Sequence, residues 1–212
     1  LQGDHSGRAV SSAGDINGDG YDDILIGAPS ADNHAGEAYV VFGKREMFSA
    51  VMNPDQLDGS NGFVINGEDA FDHFGHSVST AGDVNQDGYA DLVIGAYGSD
   101  PNGIDGAGSS YLIFGKEGGF AAEWNVGELN GVDGAVFTGF EVDENAGYSV
   151  RTAGDVNGDG YSDILLGSMN ADALSRAESG KTYVVFGHEE KFDKTLALSA
   201  LNGLNGFVIQ GG

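Results

Sequence analysis

Short apolar runs recur along the chain at wide, even intervals, each bounded by glycine and Asx residues. The most apolar are residues 24–28, 92–96 and 164–168, which are continuous rather than alternating. That pattern predicts strands buried on both faces. A short strand (75–80 in the clearest case) and an Asp-rich turn precede each run. A third strand follows at 37–42, 109–114 or 181–186. A longer connection then ends in Asp58-Gly59, Asn130-Gly131 or Asn202-Gly203, pairs that tolerate the positive φ of tight turns. Fourth strands are expected at 63–65, 136–137 and 207–209. Helical periodicity is weak, with only residues 195–201 expected to make a helical turn or two.

The strands belong to a repeat. Ala13-Gly14-Asp15-Ile16-Asn17-Gly18-Asp19-Gly20-Tyr21 returns with Asp83 and again with Asp155 in the place of Asp15, 68 and then 72 residues on. Other anchors keep a step of 72: Tyr39, Tyr111 and Tyr183; Phe42, Phe114 and Phe186; Leu57, Leu129 and Leu201. Three four-stranded units predict an all-β chain, a β-propeller of antiparallel blades at 1–67, 68–139 and 140–212. Propellers close with about four to eight blades, so three are expected to form part of a six- or seven-bladed ring. From Phe42 to Asp83 is 41 residues, as from Phe114 to Asp155. Joining Gly212 to Leu1 of a second copy keeps that spacing, which predicts a head-to-tail homodimer or an excised piece of a longer propeller.

Composition narrows the function. Of 212 residues, 33 are Asp or Glu and 9 are Lys or Arg, a net charge of −24. Such a surface excludes nucleic-acid binding and adsorption to anionic lipid, which need clustered cations. No run is long enough to enter a membrane, and Leu1 opens no signal segment. Without cysteine there is no disulfide scaffold or thiolate metal site.

The candidate chemistry lies in the Asp-rich turns. Asp15, Asn17 and Asp19 alternate along a curling loop, so their side chains can converge on one cation. The Tyr21 carbonyl and Asp23 would complete an oxygen cage, and Gly20 permits the bend. The matching sets are Asp83, Asn85, Asp87, Tyr89 and Asp91, and Asp155, Asn157, Asp159, Tyr161 and Asp163. Flexible, all-oxygen, multi-carboxylate coordination suits Ca²⁺, giving three ions per chain. An EF-hand would need Glu at the twelfth loop position, where Ile26, Ile94 and Leu166 stand, and flanking helices in place of strands.

The sequence around Ala13-Gly14-Asp15, through Gly27-Ala28-Pro29 to Phe42-Gly43, resembles the FG-GAP repeat of integrin α-subunit propellers and large bacterial surface proteins. The resemblance covers all three units and implies blades holding Ca²⁺ between their first and second strands. Gly-Ala-Pro becomes Gly95-Ala96-Tyr97 and Gly167-Ser168-Met169, and a leading Phe-Gly survives only at Phe74-Gly75. None of these departures touches the ligand positions.

No catalytic residue is singled out, and no Gly-x-Ser-x-Gly elbow occurs. His5 and His73 occupy equivalent positions and read as scaffold or surface. Glu68, Asp69 and Asp72, and Glu141, Asp143 and Glu144, read as solvated acidic loops, with a glycosidase carboxylate pair as the alternative. Trp124 is a weak candidate for a sugar-stacking platform. The expected function is a non-enzymatic, calcium-binding module of a secreted or cell-surface protein, for adhesion, protein interaction or structure, with a protein or glycan ligand. The alternative is a carbohydrate-binding or polysaccharide-degrading propeller. Its sign would be aromatic and basic residues on one rim.

Overall fold

The computed structural model of the chain describes residues 3–172 and 179–212; Leu1, at the expected head-to-tail junction, lies outside them. The first blade is a meander of β1 (Ala9–Gly14), β2 (Asp23–Ala28), β3 (Glu37–Val41) and β4 (Gly62–Asn66). The second repeats it with β5 (Ser77–Gly82), β6 (Asp91–Ala96), β7 (Ser109–Ile113) and β9 (Gly134–Thr138). The third uses β10 (Ala146–Gly154), β11 (Asp163–Ser168), β12 (Lys181–Val185) and β14 (Gly206–Gln210). The chain is thus all-β, three antiparallel blades of a β-propeller.

Each first strand ends in a bulge, where register shifts at Gly14, Gly82 and Gly154. These glycines have φ of 69°, 81° and 68°, a left-handed conformation that a side chain would strain. The bulge turns the strand end into the Asp-rich loop.

Two strands were not expected. β8 (Glu123–Asn125) leaves the second blade's connection and pairs in parallel with β4; β13 (Thr195–Ala197) does the same to β9. The second and third blades therefore each supply a fifth, outer strand to the blade before them. The helical turn expected over 195–201 is corrected accordingly: strand pairing captures Thr195–Ala197, and a 3₁₀ turn at Leu198–Ala200 follows. By the step of 72, residues 51–53 are the first blade's counterpart of β8 and β13, and they pair with no strand. Conversely, β14 has no fifth strand beside it.

Two cores lie between the blades. Leu25, Val40, Phe63 and Ile65 pack on Leu92, Ile94 and Ile113, while Val93, Leu112 and Phe137 pack on Val150, Ile164 and Leu166. β6, in the middle, is buried along its whole length. In the outer blades the second strand is less covered: Ile24 of β2 is exposed, while β11 has no exposed residue but Leu165 and Gly167 only half-buried. The outer faces also leave Val10 exposed on the first blade and Phe207, Val208 and Ile209 on the third. The same apolar strand is fully covered only where a blade stands on each side. Blade contact is closest at glycine: a Cβ on Gly95 would lie 1.9 Å from the Gly147 carbonyl oxygen, and one on Gly27 equally close to that of Gly75.

Gly95→Ala should therefore destabilise the fold by about 1–3 kcal/mol through overpacking. Gly119→Ala, where the nearest atom would be 3.7 Å away, should stay within about 0.5 kcal/mol. Urea titration of both variants checks the contrast.

Candidate metal centre

All three Asp-rich loops close on their own backbone. Asp15 accepts the N–H groups of Gly18 and Asp19 on Oδ1 (2.8 and 3.0 Å) and that of Gly20 on Oδ2 (2.8 Å). Asp19 Oδ1 accepts the Tyr21 N–H, and Asn17 Nδ2 donates to Asp19 Oδ2. Asp155, Asn157 and Asp159 repeat this network in full, and Asp83, Asn85 and Asp87 repeat all of it but the Gly18 bond, Gln86 standing in that place. The structure thus brings the first three ligand positions of each loop together. Tyr21, Tyr89 and Tyr161 each lie at the loop's exit, where their N–H is bound and the chain turns into the second strand.

Asp23, Asp91 and Asp163 behave differently. Each is buried at the start of a second strand and accepts two backbone N–H groups from opposite sides. Asp91 Oδ2 takes the Val84 amide (2.8 Å) and Oδ1 the Gly115 amide (2.9 Å). Asp23 takes Ile16 and Gly43, and Asp163 takes Val156 and Gly187, in the same way. One carboxylate thus ties the loop to the Phe-Gly turn that ends the third strand, a structural role the spacing alone did not reveal.

The electrostatics suit a cation. Burial pushes Asp91 up to about 8, against the pull of its two amides, and the charges of Asp87 and Asp83 push it further. Asp23 is raised to about 6 with the same ordering, Asp19 and Asp15 adding to burial. Among the described residues no three His, Asp or Glu side chains stand close enough together to hold a metal unaided. A cage here would also need the Asn oxygen and the Tyr carbonyl. The donor set fits a hard cation: oxygen only, acidic, and with the Lys181–Glu141 ion pair lying elsewhere.

The loops are also joined across blades. The Asp15 and Ile16 carbonyls accept N–H groups from Ala90 and Lys116, and those of Asp83 and Val84 accept from Ser162 and His188. Gln86, standing where the other loops have Gly18 and Gly158, donates through Nε2 to the Gly160 carbonyl of the next loop.

At the opposite end of the blades the structure assembles a row of rings that sequence reasoning missed. Arg8, His76 and Tyr148 occupy equivalent positions at the starts of the three first strands. Arg8 Nη2 lies 3.1 Å from His76 Nε2, and the His76 ring packs against Tyr97 and Tyr148 at 4.6 and 4.8 Å. His73 stacks on Tyr97 at 5.0 Å and meets His34 edge-on. Only the repeat step, applied to non-identical residues, could have revealed this row. His5 is on the surface and bonds Ser30. Trp124 lies in β8, half-buried against the core between the first two blades, and lines a cavity with Phe120 and Lys116. The acidic stretches are not simply solvated, since Glu144 is completely buried.

Three blades with identically spaced acidic hairpins define a repeat protein of the propeller class. The FG-GAP repeat profile matches residues 6–41, 74–113 and 146–185, and the chain belongs to the FG-GAP family of integrin α-type propellers. It is 30% identical over 163 residues to integrin alpha-5 of Xenopus laevis, covering 76% of this chain and 14% of that protein. Integrin alpha-V of Gallus gallus is 32% identical over 166 residues, 74% of this chain and 14% of the relative. Human integrin alpha-6 aligns over 211 residues at 29% identity, 97% of this chain and 16% of the relative. The chain thus spans less than a fifth of the relatives it matches.

Replacing Asp91 by Ala should cost about 2–6 kcal/mol even in chelator, because two buried amides lose their acceptor, at about 1–3 kcal/mol each. Asp87→Ala, at an exposed position, should cost far less under the same conditions. Denaturant titration in EDTA separates the two roles.

Proposed function

We propose that this chain is a calcium-binding β-propeller module of a secreted or cell-surface protein, acting in adhesion or protein interaction. One Ca²⁺ per blade would be held by Asp15, Asn17, Asp19, the Tyr21 carbonyl and Asp23, and by their counterparts in the other loops. The observation that carries this reading is the threefold repetition of one all-oxygen, carboxylate-rich hairpin. Bound calcium would offset two of the three carboxylate charges in each cage and stiffen the carbonyls that reach the neighbouring blade. Extracellular modules bind calcium at roughly 10⁻⁴–10⁻³ M, so millimolar calcium outside cells would fill such sites. Among the described residues no helix is long and apolar enough to cross a membrane.

Metal analysis should find three Ca²⁺ per chain, and EGTA should lower the melting temperature, since ligand bound only to the folded state stabilises it. Asp19→Ala should remove one ion of the three. A melt unchanged by EGTA rejects the calcium reading.

The unpaired edge of β14 and the unpaired residues 51–53 supply the two halves of one parallel pairing. Carrying the β8 and β13 registers forward places Val51 of a second copy opposite Val208, and Asn53 opposite Gln210. We infer a two-chain, six-bladed ring, in which the exposed Phe207, Val208 and Ile209 meet an apolar neighbour. Light scattering in calcium should give twice the chain mass of 21.8 kDa. A single-chain mass at every concentration rejects the ring.

A second reading, binding or cleavage of a carbohydrate, is favoured by the row of Arg8, His76, Tyr97 and Tyr148, rings and a base on one rim. A glycan array with Tyr97→Ala as control tests it; no glycan lost on that substitution dismisses it.

A further inference from the structure

Away from the acidic hairpins, the blades carry different chemistry at equivalent places. Glu37, Ser109 and Lys181 open the three third strands, and Tyr39, Tyr111 and Tyr183 follow two residues later. In the third blade Lys181 is buried, its Nζ 2.6 Å from Glu141 Oε1 and 5.1 Å from the centre of the Phe140 ring. The Tyr183 hydroxyl donates to Glu144, whose other oxygen accepts the N–H groups of Phe140 and Glu141. Ammonium, carboxylates and ring fill the space together.

The second blade has the same place without its cation. Ser109 stands for Lys181, the shorter Asp69 and Asp72 for Glu141 and Glu144, and Glu68 for Phe140. What remains is a cavity of about 270 Å³, bordered by Glu68, Asp69, Asp72 and Asp100 and walled by Tyr111 and Val136. Thr138 lines it beside Val136; it is only 4% exposed, and its hydroxyl is enclosed without a hydrogen-bond partner. Tyr111, unlike Tyr39 and Tyr183, has no carboxylate as its hydrogen-bond partner; its hydroxyl leans on Ser109. Lys194 stands at the border and forms no ion pair. Asp72 is pushed up to about 6, by burial first, against the Asp69 amide, and further by Asp69, Asp100 and Glu68.

We propose that this cavity binds a primary alkylammonium ion, its NH₃⁺ among the carboxylates and the Thr138 hydroxyl and its stem along Tyr111 and Val136. The buried Lys181 is the molecule's own template for such a ligand: an ammonium on a carboxylate with its stem in an apolar slot. A bare metal ion fits less well, because the acidic groups do not converge to metal-binding separations. The cavity is also several times the roughly 30 Å³ of a water-sized occupant.

Calorimetry with n-butylammonium chloride, in saturating calcium to hold the hairpins constant, is the test. One site per chain is expected, with tetramethylammonium, which has no N–H, at least about tenfold weaker. Ser109→Lys supplies the ammonium internally and should weaken butylammonium by about tenfold or more; Asp69→Asn, at an exposed position, should also weaken it. Binding should tighten as pH rises through about 6, where Asp72 loses its proton. Equal affinity for both amines, or affinity unaltered by Ser109→Lys and Asp69→Asn, would mean diffuse attraction to an acidic surface and overturn the site. Displacement of the amine by equimolar magnesium would overturn it too, in favour of a divalent ion.

Discussion

The fold hangs on a buried carboxylate held between two backbone amides. Asp91 gathers the loop that precedes it, through Val84, and the Phe-Gly turn after the third strand, through Gly115. Those segments would otherwise leave amides unsatisfied at the blade's end, a cost of about 1–3 kcal/mol each. The Phe-Gly pair has its reason here: Gly115 must lie where a Cβ would strike the Ala90 carbonyl at 2.4 Å. The cost is a carboxylate removed from water next to Asp83 and Asp87, visible as its raised affinity for a proton. A cation on the neighbouring oxygens would offset that cost with the same residues, so the structural pin and the acidic loop are one device.

The device also sets how blades join. Loop carbonyls at Asp15, Ile16, Asp83 and Val84 reach the following blade, so loop geometry is inter-blade geometry. At the other end, glycines let first and second strands of adjacent blades touch backbone to backbone. Between these two seams lie the apolar cores, and the outer strands β8 and β13 lap each joint from outside. Every element of cohesion therefore points from one blade to the next. A blade without a following neighbour has loop carbonyls, a sheet edge and an apolar face left over, as the third does.

Much of this was legible in sequence because repetition amplifies it. Apolar runs marked the second strands, Asx-Gly pairs marked the turns, and the spacing of Asp15, Asn17 and Asp19 marked the loop. The fifth strands were not legible: Glu123, Trp124 and Asn125 have no apolar alternation, and their pairing depends on the edge of β4 in another blade. The inward turn of Asp23, Asp91 and Asp163 was hidden because backbone amides, which leave no trace in side-chain spacing, are their partners. The row from Arg8 to Tyr148 was hidden because its members differ in kind while sharing a position.

That last point separates the two ends of the blades. At the hairpin end, repeat positions keep their identity, since each Asp must satisfy the same amides and each glycine the same close approach. At the far end the same scaffold positions carry Arg8, His76 and Tyr148, or Glu37, Ser109 and Lys181, residues of opposite charge and unlike size. A position that serves folding alone would tolerate such variety only where the neighbours change with it, as Glu141 does beside Lys181. Where the neighbours do not compensate, as beside Ser109, an acidic cavity results. The uniform end holds the propeller together, which leaves the varied end free to recognise something.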